Sequence, residues 1–156
     1  MLYRIILLCS ALILVSACGK EDDNSANSPM HSCGTAYTID TFKLGMQKST
    51  KEQHFTITLA AASPAPPDMG YNDWAIAVTD QNSNALESAS ITLTPFMPEH
   101  GHGTSPADFS GVATGTAGEY SIERFPLTMS GIWQITINVD DNSKNDEAVF
   151  TFCAEG

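Results

Sequence analysis

From His54 onward, run after run sets apolar residues at every second position, and no stretch there repeats with the three-to-four spacing of a helix. A period of two places alternate side chains on opposite faces of an extended strand, so one face can be buried while the other stays in water. In HFTITLAAA (54–62) Phe55, Ile57 and Leu59 share a side, and in WAIAVTD (74–80) Trp74, Ile76 and Val78 do. SASITLTPF (88–96) alternates small and branched residues. EYSIERFPL (119–127) sets Tyr120 and Ile122 on one side, Ile132–Val139 forms a further strand, and EAVFTFC (147–153) alternates Val149 against Phe150 and Phe152. The prolines of PAPPDMG (64–70), which cannot donate to a ladder, and the polar turns QNSN (81–84) and DDNSKN (140–145) separate these runs. Residues 37–50 are ambiguous and read as an edge strand plus a loop. Short strands rich in β-branched and aromatic residues predict an all-β chain. The economical form is an immunoglobulin-like antiparallel β-sandwich of about seven strands, with Trp74, Tyr120 and Trp133 packed inside it.

The first residues follow a different logic. Arg4 gives a short positive start, and Ile5–Ala17 is mainly apolar but only thirteen residues long. A helix needs about 20 residues to cross a bilayer, so this run fits the apolar region of a secretory signal instead. Val15, Ser16 and Ala17 before Cys18, with Gly19 after it, resemble the processing box of bacterial lipoproteins. That resemblance implies cleavage before Cys18, lipid on its sulfur and an acylated new amino terminus. Several acyl chains, at roughly 0.8 kcal/mol per buried CH₂, would anchor the protein without a membrane-spanning helix. Gly19, rather than Asp, favours the outer membrane, facing the periplasm, if the cell is Gram-negative. Residues 1–17 are thus expected to be a signal, 18–32 a lipidated cysteine with a flexible acidic tether too polar to bury itself, and 33–156 the folded domain.

Four cysteines are present. Cys9 leaves with the signal and Cys18 takes the lipid, which leaves Cys33 and Cys153 at the two ends of the domain in an oxidising compartment. They are expected to form a disulfide. The alternative is that Cys33 serves as a ligand or redox thiol beside Met30 and His31. The whole chain carries a formal charge of −11, which becomes −12 once Arg4 is removed. Phosphate contacts need clustered Lys and Arg, so nucleic acid is excluded as a partner. Diffuse acidity of this kind serves solubility and could concentrate cations.

One loop carries donors that a turn does not need. TPFMPEHGHGTSP (94–106) places Met97, His100 and His102 within six positions. Imidazole suits Cu, Zn and Ni, while thioether sulfur is soft and favours Cu(I). Gly101 and Gly103 allow the backbone to bend so that the two rings can face one ion. A fourth candidate donor is Met129 in FPLTMSGIW (125–133), because loops of a sandwich cluster at its ends. An exposed glycine-rich hairpin with incidental histidines is the plain alternative. Catalysis is not expected: no activated Ser or Cys constellation is evident, and HGHG lacks the H-E-x-x-H spacing of zinc hydrolases. His31 and His54 read as bystanders, although Met30 and His31 could approach the loop.

Taken together, NDW followed by AIAVTD (72–80), ITLTPFMPEHGHGTSP (91–106) and GEYSIERFPLTMSGIWQITINV (118–139) resemble the YtkA-like family, which is related to FixH-type domains. The resemblance covers roughly Tyr71 to Val139. It implies an extracytoplasmic immunoglobulin-like sandwich that handles copper or assists oxidase assembly. Met97, His100, His102 and Met129 are carried over as ligand candidates. Membrane-spanning members of the family carry a helix before the domain, where this chain has a lipoprotein-type signal. The expected function is therefore a lipid-anchored extracytoplasmic copper-binding protein, most naturally for Cu(I), acting in buffering, delivery or tolerance with an unidentified delivery partner. Imidazole coordinates only when neutral, so affinity should fall through the ordinary imidazole range, roughly pH 6–7. The competing readings are an adhesive module that binds protein or glycan, and a lipoprotein that sequesters Zn²⁺ or Ni²⁺.

Overall fold

The computed structural model describes residues 33–34 and 36–156. The expected signal, Cys18, the expected tether, Met30 and His31 lie outside the described residues. The alternating runs become strands, and the long ones fall where the pattern predicts: β2 (Phe55–Ser63), β3 (Gly70–Asp80), β4 (Ser90–Met97), β8 (Glu119–Leu127), β9 (Gly131–Asp140) and β10 (Asn145–Ala154). Four short strands add to them, β1 (Gln47–Ser49), β5 (His102–Gly103), β6 (Phe109–Ser110) and β7 (Val112–Ala113). The count is therefore ten rather than about seven. The extra strands are two or three residues long, too short to display a period. Among the described residues no helix is long and apolar enough to cross a membrane.

The strands form two antiparallel sheets, one in the order β1-β2-β3-β8-β7 and the other β10-β9-β4-β5, with β6 also paired to β4. With β1 and β5 set aside as edge additions, the orders β2-β3-β8-β7 and β10-β9-β4 match the A-B-E-D and G-F-C neighbours of the immunoglobulin sandwich. Inward positions of both sheets meet in one core. Trp74 of β3 stands edge-on to Phe125 of β8 at 5.3 Å and to Phe150 and Phe152 of β10 at 5.9 Å each, so one indole joins the two layers. Edge-to-face aromatic pairs of this kind add about 0.5–1.5 kcal/mol beyond the area they bury.

Chain reversals are held by polar groups. The hydroxyl of Tyr120 donates to the Leu86 carbonyl at 2.6 Å and accepts from the Ala89 N–H at 2.9 Å, fixing the link between β3 and β4. At the opposite edge the buried Asp146 carboxylate accepts backbone N–H groups of Glu52, His54 and Glu147, tying the turn before β2 to β10. Gly111 lies where the chain crosses from β6 on one sheet to β7 on the other. A Cβ there would stand 2.7 Å from the Cβ of Ile91, so only glycine allows that close passage. Cys33 is bonded to Cys153 of β10, with Cα atoms 5.8 Å apart and a sequence separation of 120. Next to that bridge, Ile132 pairs with Cys153 and is fully buried outside the main core cluster.

Candidate functional site

Pro98 has its φ preset for the second position of a turn, and Gly101 supplies a positive φ of 68° that other residues avoid. Between them the chain reverses in four residues, and the N–H groups of His100 and Gly101 converge on the Met97 carbonyl at 3.3 and 2.9 Å. This tight reversal makes Met97 and His102 register partners, on strands β4 and β5. Directly paired residues on antiparallel strands project to the same face with Cβ atoms about 4.5–5.5 Å apart. The glycine-for-flexibility expectation holds for Gly101 only. Gly103 has no positive φ; a Cβ on it would stand 2.8 Å from the Pro95 carbonyl oxygen, so it is needed for close approach.

The two imidazoles lie with ring centroids 5.8 Å apart and planes at 85°. Nitrogens bound to a common ion at ~2.0 Å put ring centroids roughly 5–6.4 Å apart, depending on the angle at the metal. The observed separation falls within that span. His102 Nδ1 sits 3.1 Å from the Gly103 carbonyl oxygen, which can only accept, so the neutral ring that makes this bond has its proton on Nδ1 and its lone pair on Nε2. His102 is half-buried and His100 exposed.

Met97 is fully buried and belongs to the core cluster. Its methyl group reaches across to β9, 2.6 Å from where a Cβ on Gly131 would lie, and a Glu99 carboxylate oxygen is 3.8 Å from the same point. Gly131, at φ 134°, leaves the space into which both side chains reach. The other Glu99 oxygen is 3.9 Å from the corresponding position on Gly34, beside the disulfide. Met129 reaches this end of the molecule through its backbone: the Trp133 indole N–H donates to its carbonyl at 2.9 Å, and its side chain is 39 % exposed. Trp133 itself is buried and lies edge-on to His102, with centroids 6.2 Å apart.

The structure thus gathers Met97, His100 and His102 on one hairpin and brings the Met129 turn to the same end, with Trp133 between. Among the described residues no three His, Cys, Asp or Glu side chains form a group able to hold a metal. A metal held here would depend on thioethers as well as imidazoles. His54 stands apart, its Nδ1 3.7 Å from Asp146 at the β1–β2 turn. Sequence reasoning sets Glu99 aside as a solvated loop carboxylate and misses Gly131. The one available signal was the glycine opening a strand directly after the Met129 turn.

Sheet order and hairpin together define an immunoglobulin-like sandwich with two imidazoles paired on a hairpin at one end and the Met129 turn beside it. The chain belongs to the YtkA-like family, whose profile matches residues 49–138. That span takes in the hairpin, the Met129 turn and most of both sheets. No curated protein and no solved structure matches the chain.

Proposed function

We propose that this protein is a lipid-anchored, extracytoplasmic copper-binding protein that holds Cu(I) through Met97, His100 and His102, with Met129 closing the site from the neighbouring turn. It buffers, delivers or tolerates copper and does not itself catalyse a reaction. The observation that carries the reading is the hairpin pairing. Met97 faces the same side as His102, and the His100 ring lies 5.8 Å from that of His102. Sulfur and neutral imidazole nitrogen together match a soft monovalent ion better than Zn²⁺ or Ni²⁺, for which a thioether contributes little. A resident Cu(I) would be held by these side chains, and the hydrogen bond from His102 Nδ1 to Gly103 would keep the ring oriented toward it.

Anaerobic Cu(I) titration against a competing chelator tests this. Wild type should take up one equivalent tightly, and the pair His100→Ala with His102→Ala should lose most of that affinity while keeping the wild-type thermal melt. Equal affinity in the folded double variant would remove the hypothesis. Anchoring is tested separately: Cys18→Ser should abolish labelling by a radioactive or clickable fatty acid and release the protein from membranes, whereas continued labelling would exclude lipid at Cys18.

A further inference from the structure

The described residues around the proposed site include one large side chain that is not a ligand. Trp133 is fully buried on β9, lies against the ring of one candidate donor, His102, and is hydrogen-bonded to the backbone of another, Met129. Phe96 pairs with Gln134, so alternation puts Met97 and Trp133 on the inward side of adjacent strands, and both are 0 % exposed. The His102 ring stands edge-on to the indole at 77°. The indole N–H is committed to the Met129 carbonyl, which ties the ring to the turn that carries the fourth donor.

We propose that Trp133 is the specificity-determining residue of this site and that it selects monovalent soft cations, Cu(I) or Ag(I), over divalent ions. The inference rests on the metal-binding reading above. An aromatic face attracts a cation without offering a lone pair. A soft monovalent ion is satisfied by a few sulfur and nitrogen donors and tolerates such a neighbour. Zn²⁺ in protein sites takes four ligands, and a catalytic zinc fills its fourth position with water. The indole lies against the His102 ring and would close that side of an ion held there to an added water or oxygen donor, and no third His, Cys, Asp or Glu joins the imidazoles among the described residues. The cost of stripping water from an ion beside a buried ring grows with the square of its charge, which works further against a divalent guest.

The test uses purified full-length protein in chloride-free buffer, with Ag(I) as probe and Zn²⁺ as the divalent comparison, bound metal being measured by equilibrium dialysis. Wild type should bind Ag(I) with a change in indole emission that Trp133→Phe abolishes, Trp74 remaining as the internal reference. The ratio of Ag(I) to Zn²⁺ affinity should fall about tenfold in Trp133→Leu and less in Trp133→Phe, which keeps a π face but loses the N–H. A ratio unchanged in both variants overturns the proposal. Should the variants fail to fold, wild type alone decides: indole emission and absorption that do not move at saturating Ag(I) overturn it as well. Wild type that binds no Ag(I) at all overturns the underlying metal-binding reading, a distinct outcome from Ag(I) bound without an indole signal.

Discussion

Met97 serves two purposes that a single substitution can separate. Its side chain fills core space against Gly131, while its sulfur is one of the candidate donors. Met97→Leu conserves volume, so stability measured by denaturant unfolding should change by less than about 1.5 kcal/mol. Cu(I) affinity should fall at least tenfold in the same variant; unchanged affinity would reduce Met97 to a packing residue. Met129→Leu separates the roles at the neighbouring turn. Its carbonyl still accepts from Trp133, so the fold should be silent and any loss of Cu(I) affinity reports the sulfur. Met97, His100 and His102 were legible in the sequence because they sit within one short loop whose glycines and proline dictate a reversal. Trp133 was legible as a core residue close to Met129, but its approach to His102, like that of Glu99 to Gly131, is made across strands, which local spacing does not encode.

The strands themselves were readable wherever one face is buried and the other wet, as in Ile91, Leu93 and Met97 along β4 or Ile135, Ile137 and Val139 along β9. Outside those runs the pattern is silent. The excursion from His102 to Ala113 contributes β5, β6 and β7 in pieces of two residues, set by the hairpin and by sheet crossing at Gly111 rather than by periodicity. Gly131 is the element-scale counterpart. Gly131→Ala forces a side chain into a φ of 134° and against the Met97 methyl, so thermal stability and Cu(I) affinity should drop together. Retention of both would show that the β8–β9 turn tolerates a different path. The Asp146 clamp makes a pH prediction. Burial alone would raise its pKa, but hydrogen bonds from the Thr50 side chain and from the N–H groups of Glu52, Glu147 and His54 outweigh that and hold it at about 2, below the ordinary 3.8. A lowered folded-state pKa means that the contribution is complete above about pH 4 and is lost as pH falls toward 2. Asp146→Asn should therefore lower the melting temperature at neutral pH and flatten its decline between pH 4 and pH 2. A decline as steep as wild type would assign the acid sensitivity elsewhere.

At the scale of the molecule, the bridge between Cys33 and Cys153 closes the described domain on itself. Its pairing was legible by elimination, since two of the four cysteines fall in the expected signal and processing box. Closing a loop of 120 residues is worth roughly 4–5 kcal/mol in the chain-entropy model, an upper figure. Replacing both cysteines by serine should lower the unfolding free energy by a substantial part of that amount, and a change under about 1 kcal/mol would show that the reduced chain is already constrained. The bridge lies at the same end as the hairpin, with Gly34 next to Glu99, so the variant should also loosen the loop in hydrogen exchange. The account as a whole turns on one soft ion being shared by sulfur and ring nitrogen. X-ray absorption at the copper edge of Cu(I)-loaded protein measures that directly. The account predicts sulfur and imidazole nitrogen scatterers together around the metal, with the sulfur contribution reduced in Met97→Leu; a spectrum fitted by nitrogen and oxygen alone would contradict it.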